Sequence, residues 1–442
     1  MDTPIVDFVK EYKNKMPLRF HMPGHKGENI LGFEQYDITE IDGADSLFEA
    51  DGIIKRSEEN ASAIFDANTF YSCEGSSLSI RAMVYLARLF GSENNRAPLI
   101  LASRNAHKAF LSACALTDCD VIWLENDNST YLSANISADN LEDYLKTAKV
   151  LPCAVYITSP DYLGNITDIC NIAHICKKYD VLLLADNAHG AYLKFLKMHP
   201  LDFGADMVCD SAHKTLPVLT GGGYLHISKT APEGLKENAK NALSFFASTS
   251  PSYLILQSLD KVNSYLLDFG EKLKAFIPET ENLKNQLTKK GYTLIGNDPL
   301  KLTIKTKPYG YLGTDFAKIL ECKNIFVEFC DNDFCVFMLS IDKKALDALK
   351  DALLGVPKMT EIALLPPVLK APKKALTPRQ AFLSCCEGIK TENAVGRILH
   401  SPCVSCPPAV PIIAMGEVID ENAILAFKYY GINELKVVKE VQ

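Results

Sequence analysis

The 442-residue sequence is poor in the features that mark several protein classes. No uninterrupted apolar run approaches the roughly 20 residues that a membrane-spanning helix needs. The opening stretch, "MDTPIVDFVKEYKNKMPLRF", carries charges throughout and has no continuous apolar core, so it does not read as a secretory signal. Basic residues are not in excess. The formal net charge is −8, and no basic stripe with interleaved aromatics is present, which argues against a nucleic-acid binder. Low-complexity tracts and short-period repeats are absent. Cys403 and Cys406 in "SPCVSCPP" have C-x-x-C spacing, and Cys385-Cys386 lies upstream, but no second such pair or histidine pair completes a zinc pattern. Without a secretory signal, the 14 cysteines are expected as ordinary reduced thiols. A soluble, cytoplasmic protein of two or three domains is the expectation.

What is present is an alternation. The runs "PLILAS" (98–103), "DVIWLE" (120–125), "CAVYITS" (153–159), "VLLLAD" (181–186), "DMVCD" (206–210) and "GYLHI" (223–227) are short and apolar, as buried strands are. Between them, "HKAFLSACAL", "ADNLEDYLKTA" and "DICNIAHICKKYD" place apolar residues at helical spacing. Strands alternating with helices predict an α/β fold with a mostly parallel sheet covered on both faces. The region from "STSPSY" onward predicts a long helix leading out of this large domain. A smaller α/β unit follows, with strands expected at "LKLTIKT", "IFVEFC" and "CVFMLS". "LLPPVLKAPKKALTPRQA" reads as a proline- and lysine-rich linker into a terminal piece. The expected division is an arm with little periodicity (1–50), a large domain (51–275), a small domain (276–360) and a C-terminal domain (361–442).

In such sheets, ligands bind beyond the carboxyl ends of the strands. Four polar clusters fall there: "DNAHGAY" with Asp186 and His189, "DSAHK" with Ser211, His213 and Lys214, "SRNAHK" with His107, and "CEGSS" with Gly75, Ser76 and Ser77 ahead of a helix. Taken singly, each has a plain reading, as a helix cap, a satisfied histidine or a solvated lysine. Together they supply the parts of a pyridoxal phosphate site: a helix N-terminus for phosphate, a carboxylate for the pyridine nitrogen and a lysine for the Schiff base.

Eight stretches in order carry a further likeness: "FHMPGHKG" (20–27), "DITEIDGADSL" (37–47), "SRNAHKAF" (103–110), "TSPDYLGNITDI" (158–169), "DNAHGAY" (186–192), "DSAHKTLPVLTGG" (210–222), "STSPSY" (248–253) and "VGRI...PPAVPIIAMGE" (395–417). The chain resembles the bacterial Orn/Lys/Arg decarboxylase family, of pyridoxal-phosphate fold type I, in its short form without an N-terminal wing domain. The resemblance implies that Lys214 carries pyridoxal 5'-phosphate, that Asp186 pairs with the pyridine nitrogen and that His107 stacks on the ring. It implies that Ser76 and Ser77, joined by Ser211 and His213, hold the phosphate, with Ala188 and His189 beneath or beside the ring. It also implies a homodimer or larger assembly whose site lies between subunits, with Ser248 or Thr249 reaching the neighbour's phosphate. Four positions depart from the family pattern. Asn187 replaces the usual Glu, "CEGSS" replaces "NGTS" or "NGST", Gly223 adds a third glycine, and Cys406 stands in place of tyrosine.

The expected reaction is α-decarboxylation of lysine, arginine or ornithine to a polyamine or its precursor. Recognition of the distal cation would need a carboxylate. Glu328 and Asp331 in "VEFCDND", and Asp45 and Glu49 in the arm, are the candidates. An aminotransferase or carbon–sulfur lyase on the same fold, or an inactive regulatory homologue, are the alternatives.

Overall fold

Pro4 in the first turn, followed by buried Ile5, Val6 and Val9, sets helix α1 (Pro4–Asn14) in a computed structural model that describes residues 1–124, 130–134, 136–368, 370–401 and 410–440. The arm is therefore not without periodicity. Its apolar stripe is confined to the first turns of one short helix, where Ile5 and Val9 are fully buried. The chain continues through α2 (Ile53–Phe65), β1 (Asn68–Ser72), α3 (Gly75–Glu93), β2 (Ala97–Ala102), α4 (Lys108–Thr117), β3 (Asp120–Trp123), α5 (Ala138–Thr147), β4 (Pro152–Thr158), α6 (Ile169–Lys178), β5 (Leu182–Asp186), β6 (Met207–Asp210), the single turn α7 (Ala212–Thr215) and β7 (Gly223–Ile227). Two short helices, α8 (Glu233–Glu237) and α9 (Ala239–Ser244), precede the 38-residue α10 (Tyr253–Lys290).

The six expected large-domain strands are all present. Their sheet has seven strands in the order β1-β7-β6-β5-β4-β2-β3. β5 and β6 run parallel, as do β2 and β3, while β7 is antiparallel to both β1 and β6. Strands β5, β6 and β7 are buried at every position, which is why they read as continuous apolar runs and not as alternation. The seventh strand, β1, escapes a search for apolar runs because "NTFYS" mixes polar and aromatic residues.

Two compact units result. One comprises residues 1–97, 149–156 and 169–270; the other comprises residues 98–148, 157–168 and 271–442. The second adds β8 (Thr293–Ile295), β9 (Lys301–Lys305), α11 (Gly313–Glu321), β10 (Phe329–Cys330), β11 (Phe334–Met338) and α12 (Lys343–Leu354), with an antiparallel sheet ordered β10-β11-β9-β8. Of "IFVEFC" only Phe329 and Cys330 form strand, and Phe326 is exposed. The terminal piece holds α13 (Pro378–Phe382), β12 (Cys386–Lys390), α14 (Glu421–Tyr429) and β13 (Glu434–Val438), with β12 and β13 paired. Its Leu399, Ile413, Phe427 and Val437 share a core with Phe334 and Leu163. Cys403 and Cys406 lie outside the described residues. Among the described residues, no helix is long and apolar enough to cross a membrane.

Helix α1 is held at its N-terminus by Asp260 of α10. One Asp260 oxygen accepts the Ile5 and Val6 amides, both at 3.0 Å, and the other accepts the Ser57 hydroxyl at 2.6 Å. Burial pushes this carboxyl up to about 6, against those hydrogen bonds. A carboxyl whose folded value lies above its unfolded one, about 3.9, holds more protons folded than unfolded, so its contribution to stability is lost as pH rises between the two. Urea unfolding of Asp260→Asn, which keeps an acceptor for the α1 amides, should therefore show wild type losing stability relative to the variant from pH 4 to 6. A difference that stays flat across that range would contradict this assignment.

Candidate active site

β5 and β6 end side by side, with Asp186 in register with Cys209. Asp186 is 2 % exposed and is already partly engaged. One carboxylate oxygen accepts the Tyr156 hydroxyl at 2.9 Å; the other accepts the Ala188 amide at 3.1 Å and the Cys209 thiol at 3.5 Å. Burial, joined by the neighbouring Asp186 and Asp210 charges, raises the Cys209 thiol well above its ordinary value, so it remains a donor. Two carboxylate oxygens offer about four lone-pair positions, which leaves room for one further donor.

Lys214 lies in the turn α7, directly after β6, and its amide returns to the Ser211 carbonyl at 3.0 Å. Its Nζ stands 3.1 Å from His189 Nε2. When Lys214 is an ammonium it donates there, which places the His189 proton on Nδ1. Behind this turn runs the glycine stretch. His213 Nδ1 donates to the Gly222 carbonyl at 2.8 Å, the His213 amide donates to the same carbonyl at 3.1 Å, and the Gly75 amide donates to the Gly221 carbonyl at 2.6 Å. Gly75 has φ +62°, and a Cβ on it would stand 3.3 Å from His213 Cε1. Gly223, unexpected from the family pattern, has a steric reason: a Cβ would lie 2.8 Å from the Asp210 carbonyl oxygen and 2.9 Å from the Gly75 carbonyl carbon.

The 19-residue helix α3 opens at Gly75, and Ser76 and Ser77 occupy its first turn, where amides lack intrahelical acceptors. The Ser211 hydroxyl donates to Ser76 Oγ at 2.9 Å and accepts the Ser76 amide at 3.4 Å. The glycine stitching thus brings together "CEGSS" and "DSAHK", which stand over 130 residues apart, as the separation in the Ser76–Ser211 bond shows.

Below these groups lies a set that the sequence did not announce. Asp210 is fully buried; one oxygen accepts Asn187 Nδ2 at 2.6 Å, and the other accepts His199 Nε2 and His226 Nε2, each at 3.1 Å. Burial acts to raise this carboxyl, but the two histidines outweigh it and hold Asp210 below the usual carboxylate range. Burial lowers His226, keeping it neutral, and its Nδ1 meets the Thr69 hydroxyl at 2.9 Å. Tyr156, Cys209, His199 and His226 sit inside apolar strands or after an unremarkable loop, where no local pattern separates them from core.

The other sequence candidates have these places. His107 caps α4, its Nδ1 accepting the Ala109 amide at 3.1 Å, which leaves Nε2 as the protonated nitrogen of the neutral ring. Ser248 and Thr249 are exposed, and the Ser248 amide is latched to the Glu74 carboxylate at 3.0 Å. Asp45 accepts the amides of Asp51, Gly52 and Ile54 at 2.8–3.1 Å and so caps α2, while Glu49 is exposed. Asp331 closes the β10–β11 turn by accepting the Asp333 and Phe334 amides at 2.7 and 2.8 Å, and Tyr131 Oη donates to it at 3.1 Å. Burial pushes Asp331 up to about 6. Glu328 is exposed and accepts the Tyr162 hydroxyl at 3.1 Å.

Residues 3–292 match the family described as "Orn/Lys/Arg decarboxylase, major domain". The chain belongs to the Orn/Lys/Arg decarboxylase family. It is 31% identical to an arginine decarboxylase of Bacillus subtilis (strain 168), over 97% of this chain and 93% of that one. Among solved structures, the constitutive lysine decarboxylase of E. coli superposes with a TM-score of 0.78 at 18% identity, over 99% of this chain and 82% of that one. Lysine decarboxylase A from Pseudomonas aeruginosa gives 0.80 at 16%, over 99% and 80%. This member of the Orn/Lys/Arg decarboxylase family is thus a decarboxylase on the fold type I scaffold.

The glycine contacts make a stability prediction. Gly223→Ala forces a methyl group against two backbone atoms, so thermal denaturation should show a loss of about 1–3 kcal/mol or more. A melting temperature equal to wild type would mean that the β6–α3 approach is looser than described.

Proposed function

We propose that this decarboxylase acts on a basic amino acid (arginine, lysine or ornithine) with pyridoxal 5'-phosphate attached to Lys214. The single observation that carries the reading is the convergence, within one compact unit, of Lys214, Asp186 and the Ser76–Ser211 hydroxyl pair at the α3 N-terminus. The donor set fits the cofactor. A helix N-terminus with two serine hydroxyls suits a phosphate, a buried carboxylate with a spare lone pair suits a protonated ring nitrogen, and a lysine nitrogen suits the aldehyde. Gly75, whose φ of +62° favours glycine, would let the backbone come close to that phosphate.

When bound, the cofactor supplies an electron sink for the pair released as the bond to the carboxylate breaks. The protein's part is placement and charge. Asp186, steadied by Tyr156, Ala188 and Cys209, would hold the ring nitrogen with its remaining lone pair. Ser76, Ser77, Ser211 and His213 would orient the phosphate end. Lys214, as an ammonium, could deliver a proton to Cα, and His189 Nε2, accepting from Nζ at 3.1 Å, would hold that nitrogen in place. Ala188 and the ring of His189 wall one side. The relatives named arginine decarboxylase support a cationic substrate.

The same reading holds that the protein works as a homodimer or larger homo-oligomer. It is supported by the run of bare apolar side chains from Met16 to Phe33, among them Leu18 at 86 % and Phe20 at 93 % exposure. Leu18→Glu/Phe20→Glu should shift sedimentation of the full chain toward monomer, whereas an unchanged sedimentation coefficient would remove the arm from the interface.

For the reaction itself, borohydride reduction of the protein loaded with pyridoxal phosphate should tag the peptide containing Lys214. Carboxyl-labelled arginine, lysine or ornithine should release labelled carbon dioxide and an amine. Lys214→Ala should lose at least about 10²–10⁴-fold in kcat/KM, the scale of a missing proton donor. A tag on another peptide, or keto acid in place of amine, would overturn the proposal.

A further inference from the structure

Asn187 directly follows Asp186 at the end of β5, and the structure shows what it faces. The Asn187 amide group donates to Asp210 Oδ1 at 2.6 Å inside the protein, where Asp210 is fully buried. The Asn187 main-chain amide also donates to the Cys209 carbonyl at 3.0 Å. Residue 187 is therefore bound to the end of β6 through both its backbone and its side chain. Its neighbours on either side belong to the site: Asp186, and Ala188, whose amide holds the Asp186 carboxylate.

Asp210 could not face a second carboxylate without rearrangement. Its other oxygen is filled by His199 and His226, and no water-accessible surface remains to dilute a repulsion. A glutamate at 187 demands a neutral partner at 210; an anionic residue at 210 demands an amide at 187. We infer that Asn187 and Asp210 are a matched amide–carboxylate pair that positions the Asp186–His189 turn. Both members are positioning residues.

His199, Asp210 and His226 also bring three metal-ligand atoms within 4.8 Å of one another. However, His199 Nδ1 accepts the Leu201 amide at 3.3 Å, which puts the proton of the neutral ring on Nε2, the nitrogen that points at Asp210. The triad is a hydrogen-bond set in which the histidines hold the carboxylate that holds Asn187.

The positioning half of this inference rests on the cofactor reading above, and the pairing half does not. The test is an isosteric cycle: Asn187→Asp, Asp210→Asn and the double variant, each measured for melting temperature without added cofactor and for pyridoxal phosphate affinity by absorbance. Asn187→Asp should melt lower than wild type and bind the cofactor about tenfold or more weakly, because it sets two buried carboxylates together. The double variant, which exchanges the two groups, should recover the melting temperature and bring affinity back to within about threefold of wild type. A double variant no better than Asn187→Asp would overturn the pairing. Coupling in melting temperature with unchanged cofactor affinity in Asn187→Asp would overturn the positioning role. If Asn187→Asp yields no folded protein, Asn187→Ala removes the amide without adding charge, and cofactor affinity equal to wild type in that variant would overturn positioning. Should wild type itself bind no cofactor at Lys214, the proposed function fails, while the melting cycle still decides the pair.

Discussion

Asp210 carries a charge that no water reaches, and the protein surrounds it with donors drawn from separate parts of the chain. His226 comes from β7 and reaches on to Thr69 of β1; His199 comes from the loop before β6; Asn187 comes from the end of β5. Removing a donor would leave an uncompensated buried anion, which costs more than a typical hydrogen bond contributes. The two strand ends that present Asp186 and Lys214 are therefore fixed by the same carboxylate. The chemistry above it inherits that rigidity, since a site works only if its groups are held close to the productive geometry.

The glycine stretch does the complementary task. Three small residues after the lysine turn let β7 begin against the start of α3, with the Gly223 hydrogen facing the Asp210 and Gly75 backbones. Side-chain volume there would push the start of α3 away from the lysine turn. The site thus depends on charge satisfaction below and on missing side chains behind. The acids of the second unit serve differently: Asp331 is consumed by its own turn and by Tyr131.

Much of this was legible in the residues. Strands β4 to β7, buried at all or nearly all positions, announced themselves as apolar runs, and the partly buried β2 and β3 were short apolar runs as well. The candidate cofactor groups could be named because each sits at a strand end or a helix start, positions that short-range pattern can find. α1 and β1 were less visible, for opposite reasons. The α1 stripe is too short to stand out, and β1 pairs with β7 through backbone while carrying Asn, Thr and Ser. Asp210 passed as the residue before a more familiar Ser-Ala-His-Lys.

The sequence by itself determined the alternation of strands and helices, the membership of the family and the candidate groups at strand ends and helix starts, because these depend on local order along the chain. Only the tertiary structure decided how those groups are supported. That Asn187 meets Asp210, that Tyr156 and Cys209 steady Asp186, and that Gly223 excludes a methyl group are contacts between residues remote in sequence or hidden within apolar strands. Burial is what gives them force: it turns an ordinary aspartate into a charge that must be answered, and no local pattern records which distant side chain will answer it.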